Sequence, residues 1–182
     1  MSRIPTPVSI EAAPEASRGS LEAVNKLLGS VPNMFRIIAN SPQTLEGYLG
    51  LNSALGKGSL NAQTRERIAL AVAEVNDCDY CLAAHSYLGT NLARLSAAEI
   101  EANRRGTSGD EKAAIAVDFA ARVAHHRGKV SDSDLQAVRD AGYSDAEIVE
   151  ILGHVAVNTL TNYINLVLGT EIDFPTVNAL AA

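Results

Sequence analysis

The chain has 182 residues and a formal net charge of −6, a length that a single hydrophobic core can serve. That acidic balance offers no basic stripe to phosphates, which argues against nucleic-acid binding. No apolar run approaches the roughly 20 residues of a membrane span, and Met1 to Pro7 carries no cationic-then-apolar leader, so a cytoplasmic protein without membrane contact is expected.

Hydrophobic residues make up 47% of the chain, supplied chiefly by Ala, Leu, Val and Ile, with no Trp; such a composition favours close-packed helices over a sheet. Residues 1–19 hold Pro5, Pro7 and Pro14 and little periodicity, which predicts an extended N-terminal arm along its own domain or a neighbouring subunit. Residues 20–182 are expected to form one all-helical domain. Ser20 can cap a helix over 21–28 that Gly29 ends, and a short helix follows Pro32. Ser41 and Pro42 supply a cap and first-turn proline for a helix to about Leu55, after which Gly56-Lys57-Gly58 breaks the chain. Asn61 opens a central helix that Asn76-Asp77 interrupts, and the next helix is expected to run to about Leu88 and stop at Gly89.

Ser96 with Glu99 and Ser144 with Glu147 both match the capping box, in which Ser and Glu side chains satisfy each other's orphan amides. Helices are predicted at 110–126 and 132–141, with His125 and His126 as helix-end cations. The last helix, 145–168, is apolar on most faces, as suits a core or an interface. It also carries His154, read as a core histidine that could approach a site, and Asn158, Asn162 and Asn165 near helical spacing, whose amides are expected to hydrogen-bond within or between subunits. No alternating β-branched run calls for a strand.

Chemistry concentrates around Cys78-Asp79-Tyr80-Cys81 and His85. On a helix, positions 78, 81 and 85 fall within an arc of about 60°. Sulfurs at i and i+3 can form a disulfide, and a helix start favours a thiolate. Histidine exchanges protons near neutral pH, and a carboxylate touching it raises its basicity; Glu66 and Glu74 are the carboxylates at hand. A redox pair, half of a zinc site and an inert buried pair all remain open, although two cysteines and one histidine fall short of the usual four zinc ligands. No metal is therefore expected. A glycine-rich dinucleotide fingerprint is also lacking, so no bound cofactor is expected.

The runs Arg65-Glu66-Arg67-Ile68-Ala69-Leu70 and Asn76-Asp77-Cys78-Asp79-Tyr80-Cys81-Leu82-Ala83-Ala84-His85 resemble the alkylhydroperoxidase AhpD-like core of the carboxymuconolactone decarboxylase superfamily. Its pattern of Glu, eleven residues, Cys, two residues, Cys, three residues and His is met by Glu66, Cys78, Cys81 and His85. Asn158 to Pro175 is similar to the peroxidase-related branch. The resemblance implies an all-α AhpD-like fold whose central helix hairpin carries the C-x-x-C motif, assembly as homotrimers or homohexamers, and reduction of a small-molecule peroxide by Cys81 with Cys78 resolving. It further implies a proton relay through His85 and Glu66, and an external thiol or lipoyl-type protein as reductant. A lactone decarboxylase and a non-enzymatic redox- or metal-responsive protein are the rival readings. The sequence departs from the best-known AhpD pattern at Tyr80, where a relay histidine stands; a phenol of ordinary pKa about 10 donates a hydrogen bond but does not carry protons near pH 7.

Overall fold

A computed structural model describes residues 2–177 and 180. Those residues form the helices α1 (Glu15–Leu28), α2 (Asn33–Ile38), α3 (Pro42–Leu55), α4 (Ala62–Val75), α5 (Asp79–Asn91), α6 (Ala97–Arg104), α7 (Glu111–His125), α8 (Asp132–Asp140) and α9 (Asp145–Leu168), with no strand among them.

Most helix starts follow the expected caps. Ser41, Asn61, Ser96, Asp110 and Ser144 each accept an amide of the first turn, the substitution that satisfies donors the helix itself leaves free. Three expectations are corrected. α1 begins at Glu15, ahead of Ser20, because Pro14 sits at the cap position and Ser17 is buried, its Oγ donating to the Ala39 carbonyl at 2.7 Å. Gly89 does not stop α5: it lies inside the helix, where an added Cβ would meet Leu95 Cδ1 at 3.4 Å, an ordinary packing contact. The box at Ser96 is only half made, since the Glu99 side chain turns away to a larger group of donors. Ser144 with Glu147, and Ser131 with Asp134, form the full reciprocal box.

α4 is the centre of the bundle and packs on α5, α6, α7 and α9. Ile68, Leu70 and Val72 on it are fully buried, and burying a side chain of this size stabilises the fold by roughly 1.5–3 kcal/mol. Small residues such as Ala69, Ala71 and Ala73 on α4, and Ala116 and Ala120 on α7, are buried between them and let the helices approach closely. The principal core joins Ile68 and Val72 to Phe119, Val138, Tyr143, Ile148 and Ile151. A second cluster, including Leu21, Ile37 and Leu45, closes the end formed by α1–α3. The N-terminal segment lies against its own chain: Arg3 N donates to the Leu168 carbonyl at 2.7 Å, and Asn40 Nδ2 donates to the Pro5 carbonyl at 2.9 Å.

α9 corrects the hydropathy reading, because its 24 residues include an 18-residue window of mean hydropathy 1.2, long and apolar enough to cross a membrane by length and composition. The helix instead packs on α4, α7, α3 and α5, and turns His154, Asn158, Thr161, Asn162 and Asn165 into the protein. The loop before α4 is tied to α9 by Glu150, whose carboxylate accepts from Ser59 N at 2.8 Å and Leu60 N at 3.0 Å. A Cβ at Gly58 would fall 2.5 Å from that carboxylate, so a side chain there would require the Glu150 carboxylate to shift.

Candidate active site

The α4–α5 connection is tight because Asp77 adopts the left-handed region at φ 53, a conformation that short polar side chains tolerate better than most. Asn76 ends α4, and its Nδ2 donates to Asn162 Oδ1 on α9 at 2.8 Å, pinning the turn. Cys78, after Asp77, caps α5, so the stacked face expected for residues 78, 81 and 85 is modified: Cys78 stands at the helix start and Cys81 within the first turn.

Cys78 and Cys81 are joined by a disulfide, with Cα atoms 5.3 Å apart. Both are buried, at 1% and 3% exposure, in a cluster with Ala73, Tyr80, Leu82 and Ala84 that Met34, Phe174 and Val177 cover. Cys81 N points at Cys78 Sγ at 3.4 Å, and Asn165 Nδ2 donates to Cys81 Sγ at 3.3 Å.

Glu66 and His85 meet across the α4–α5 packing with Oε2 to Nδ1 at 2.9 Å, both side chains partly shielded from solvent. A carboxylate on Nδ1 fixes the ring's orientation and tautomer and leaves Nε2 as its free exchange site. Glu74, the other carboxylate considered, is drawn away by Arg104 Nε at 2.6 Å and takes no part in this arrangement.

The Tyr80 hydroxyl bonds to α2 and the C-terminal tail. It accepts from Met34 N at 3.1 Å and donates to Asp173 Oδ1 at 2.8 Å. Burial pushes its phenol well above the ordinary value, and the Asp173 carboxylate adds to the rise, so Tyr80 acts as a fixed donor that anchors the C-terminal tail. Asp173 also accepts from Asn33 N at 2.8 Å, and the Phe174 ring lies 5.8 Å from both Tyr80 and Tyr87.

His154 is buried on α9 with Nε2 unpartnered; burial lowers its pKa, the Arg65 charge lowers it further, and Glu150 and Glu66 oppose the shift. His154 thus lies within electrostatic reach of Glu66. Two neighbours of the site were not anticipated. Asn165 was expected to hydrogen-bond, but nothing in its helical spacing names a sulfur as partner. For Tyr48 on α3, burial and then the Glu66 charge push the phenol up to about 12; the sequence holds no signal for it beyond a tyrosine on α3. Among the described residues no group of three or more His, Cys, Asp or Glu is arranged to hold a metal.

A helical bundle with a buried cysteine pair at the start of α5, and a carboxylate on α4 paired with a histidine on α5, is similar to the AhpD-like class of fold. The model of the Carboxymuconolactone decarboxylase family matches residues 42–122, the stretch from α3 to α7. An AhpD-core, uncharacterized peroxidase-related protein from Ralstonia eutropha JMP134 superposes with a TM-score of 0.83 at 27% identity, over 94% of this chain and 92% of that one. The fold is thus AhpD-like, and residues 42–122 carry the likeness to the Carboxymuconolactone decarboxylase family. The debrominase Bmp8, in complex with 2,3,4-tribromopyrrole, shares the fold at a TM-score of 0.80 and 18% identity, over 95% of this chain and 94% of that one. An uncharacterized protein of Haemophilus influenzae is 46% identical over 46 residues, which span 25% of this chain and 41% of that protein.

Proposed function

We propose that the protein is a thiol-dependent peroxidase that cycles Cys78 and Cys81 between dithiol and disulfide. The observation that carries this reading is the Glu66–His85 contact at 2.9 Å, on the same helix pair that presents the buried Cys78–Cys81 disulfide. The Cys81 thiolate attacks one oxygen of a hydroperoxide, the O–O bond breaks, and the leaving alkoxide takes a proton supplied through His85 and Glu66. The resulting sulfenic acid at Cys81 condenses with the Cys78 thiol, releasing water and forming the disulfide. Two electrons and two protons from an external thiol or lipoyl-type protein restore the dithiol. The cycle uses no bound cofactor. The peroxidase-related relative from Ralstonia eutropha supports this reading, and a cytoplasmic setting suits a cycle that must be reduced after each turnover.

Assembly as a homotrimer or homohexamer is part of the proposal, supported by the exposed apolar side chains Val149, Tyr163 and Val167 on α9, which a single chain leaves in water. The test of function is steady-state consumption of cumene hydroperoxide with dithiothreitol or a dihydrolipoyl donor. Wild-type protein should turn over and Cys81→Ser should not; full turnover by Cys81→Ser overturns the reading.

A further inference from the structure

The asparagines of α9 use their amides differently. Asn158 Nδ2 returns to the His154 carbonyl at 2.8 Å inside the helix. Asn162 Oδ1 takes Asn76 Nδ2 at 2.8 Å and fixes the α4–α5 turn. Among the described residues, the one hydrogen bond of the Asn165 side chain goes to Cys81 Sγ, at 3.3 Å, and Asn165 Oδ1 is buried without a donor. A buried amide loses its water, and one retained for the fold recovers that loss through hydrogen bonds to backbone or neighbouring polar groups. Asn165 recovers it at a sulfur, the atom that does the chemistry.

We infer that Asn165 is the positioning residue that holds Cys81 and stabilises its thiolate once the disulfide is reduced, an inference that rests on the thiol chemistry proposed above. A donor aimed at an acceptor favours the acceptor's charged form, and the effect grows where water is excluded. The two sulfurs draw on separate donors. Cys78, at the cap of α5, receives the first-turn amide of Cys81 and the positive end of the helix. Cys81 lies inside the helix, beyond that amide, and α9 supplies its donor through Asn165. The titratable groups on the surrounding elements include Asp79, Tyr80, His85 and Tyr87 on α5, Arg65, Glu66, Arg67 and Glu74 on α4, Glu46 and Tyr48 on α3, Glu150, His154 and Tyr163 on α9, and Asp173 in the tail. His85 pairs with Glu66, Glu74 with Arg104, and Asp173 accepts from Tyr80; among the described residues, hydrogen bonds to the sulfurs come from Cys81 N and Asn165 Nδ2 alone.

The test measures alkylation of reduced protein by iodoacetamide from about pH 5 to about pH 10, with Cys78→Ser as background so that Cys81 alone reports. Asn165→Leu should move the midpoint of the rate profile up by about one pH unit, so labelling at neutral pH falls about tenfold while the rates converge at high pH. Asn165→Asp, which puts an acceptor and a charge where the donor was, should move it at least as far. In a Cys81→Ser background, Asn165→Leu should leave the Cys78 midpoint unchanged. An unmoved Cys81 midpoint, or an equal loss of rate at every pH, overturns the inference, the second because it reports lost access. Should Asn165→Leu fail to fold by circular dichroism, Asn165→Asp carries the same decision. Labelling needs no peroxide, so a shifted midpoint in a protein that consumes no hydroperoxide upholds the role of Asn165 and sinks the peroxidase reading instead.

Discussion

Tyr80 and Asp173, 93 residues apart, share a 2.8 Å hydrogen bond that ties the C-terminal tail to the helix start bearing the cysteine pair. The same hydroxyl accepts from Met34 N, so one phenol joins α2, α5 and the tail. Tyr80→Phe keeps the edge contact with Phe174 but strands the Met34 amide. Stability should fall by about 1–2 kcal/mol in urea unfolding, the range for a buried hydrogen bond lost with its partner left unpaired. Loosening the tail should also let dithiothreitol reduce the disulfide roughly threefold to tenfold faster, because local opening precedes access to buried sulfurs. Thiol counting after rapid quench decides it; an unchanged rate means the tail does not limit access.

Glu66→Gln removes the charge from the partner of His85 while preserving its shape. Turnover of hydroperoxide should drop by about a hundredfold in kcat/KM, within the span for losing general acid–base assistance. Disulfide content should stay at the wild-type level. Wild-type turnover in Glu66→Gln would remove Glu66 from the relay.

Acid stability should depend on Glu99. Its burial opposes ionisation, but hydrogen bonds from Ser108, Asn103, Gly109 N and Arg67 outweigh that and hold its carboxyl down at about 2. In the unfolded chain the same group returns to its ordinary value of 4.5. Its contribution is therefore complete above the ordinary value and is lost as pH falls through the window down to about 2. Glu99→Gln should lose about 2 kcal/mol at neutral pH and show a flatter stability profile across that window. Chemical unfolding at a series of pH values checks it, and parallel profiles for the two proteins would contradict it.

Gly89 sits inside α5 with room for a methyl group at ordinary contact with Leu95 and Ile100. Gly89→Ala should stabilise the protein by about 0.5–1 kcal/mol, because alanine restricts the unfolded chain and favours helix. Gly153→Ala should not share the gain, since its Cβ would fall 2.8 Å from Leu55 Cδ2. Thermal melts of the two variants separate the cases; a matched gain at both positions would show that space around Gly153 is not limiting.

Local chemistry was enough to read most of the helices and the core of the motif. Caps at Ser41, Asn61, Asp110 and Ser144, together with periodic apolar residues, mark where helices begin, because an N-cap bond spans only three residues. The spacing from Glu66 through Cys78 and Cys81 to His85 likewise lies within two neighbouring helices, where a short turn leaves little freedom in how they face each other. Tertiary structure alone decided the rest. Glu74 matched Glu66 as a partner for His85 until Arg104 claimed it, Glu99 left its capping box for donors on α4 and the α6–α7 loop, and Gly89 became a packing contact rather than a stop. Asn165 reaches Cys81 across 84 residues of sequence, and Tyr80 reaches Asp173 across a similar span. Such partners are chosen by how helices pack, and packing depends on the whole core at once, so no local pattern records it.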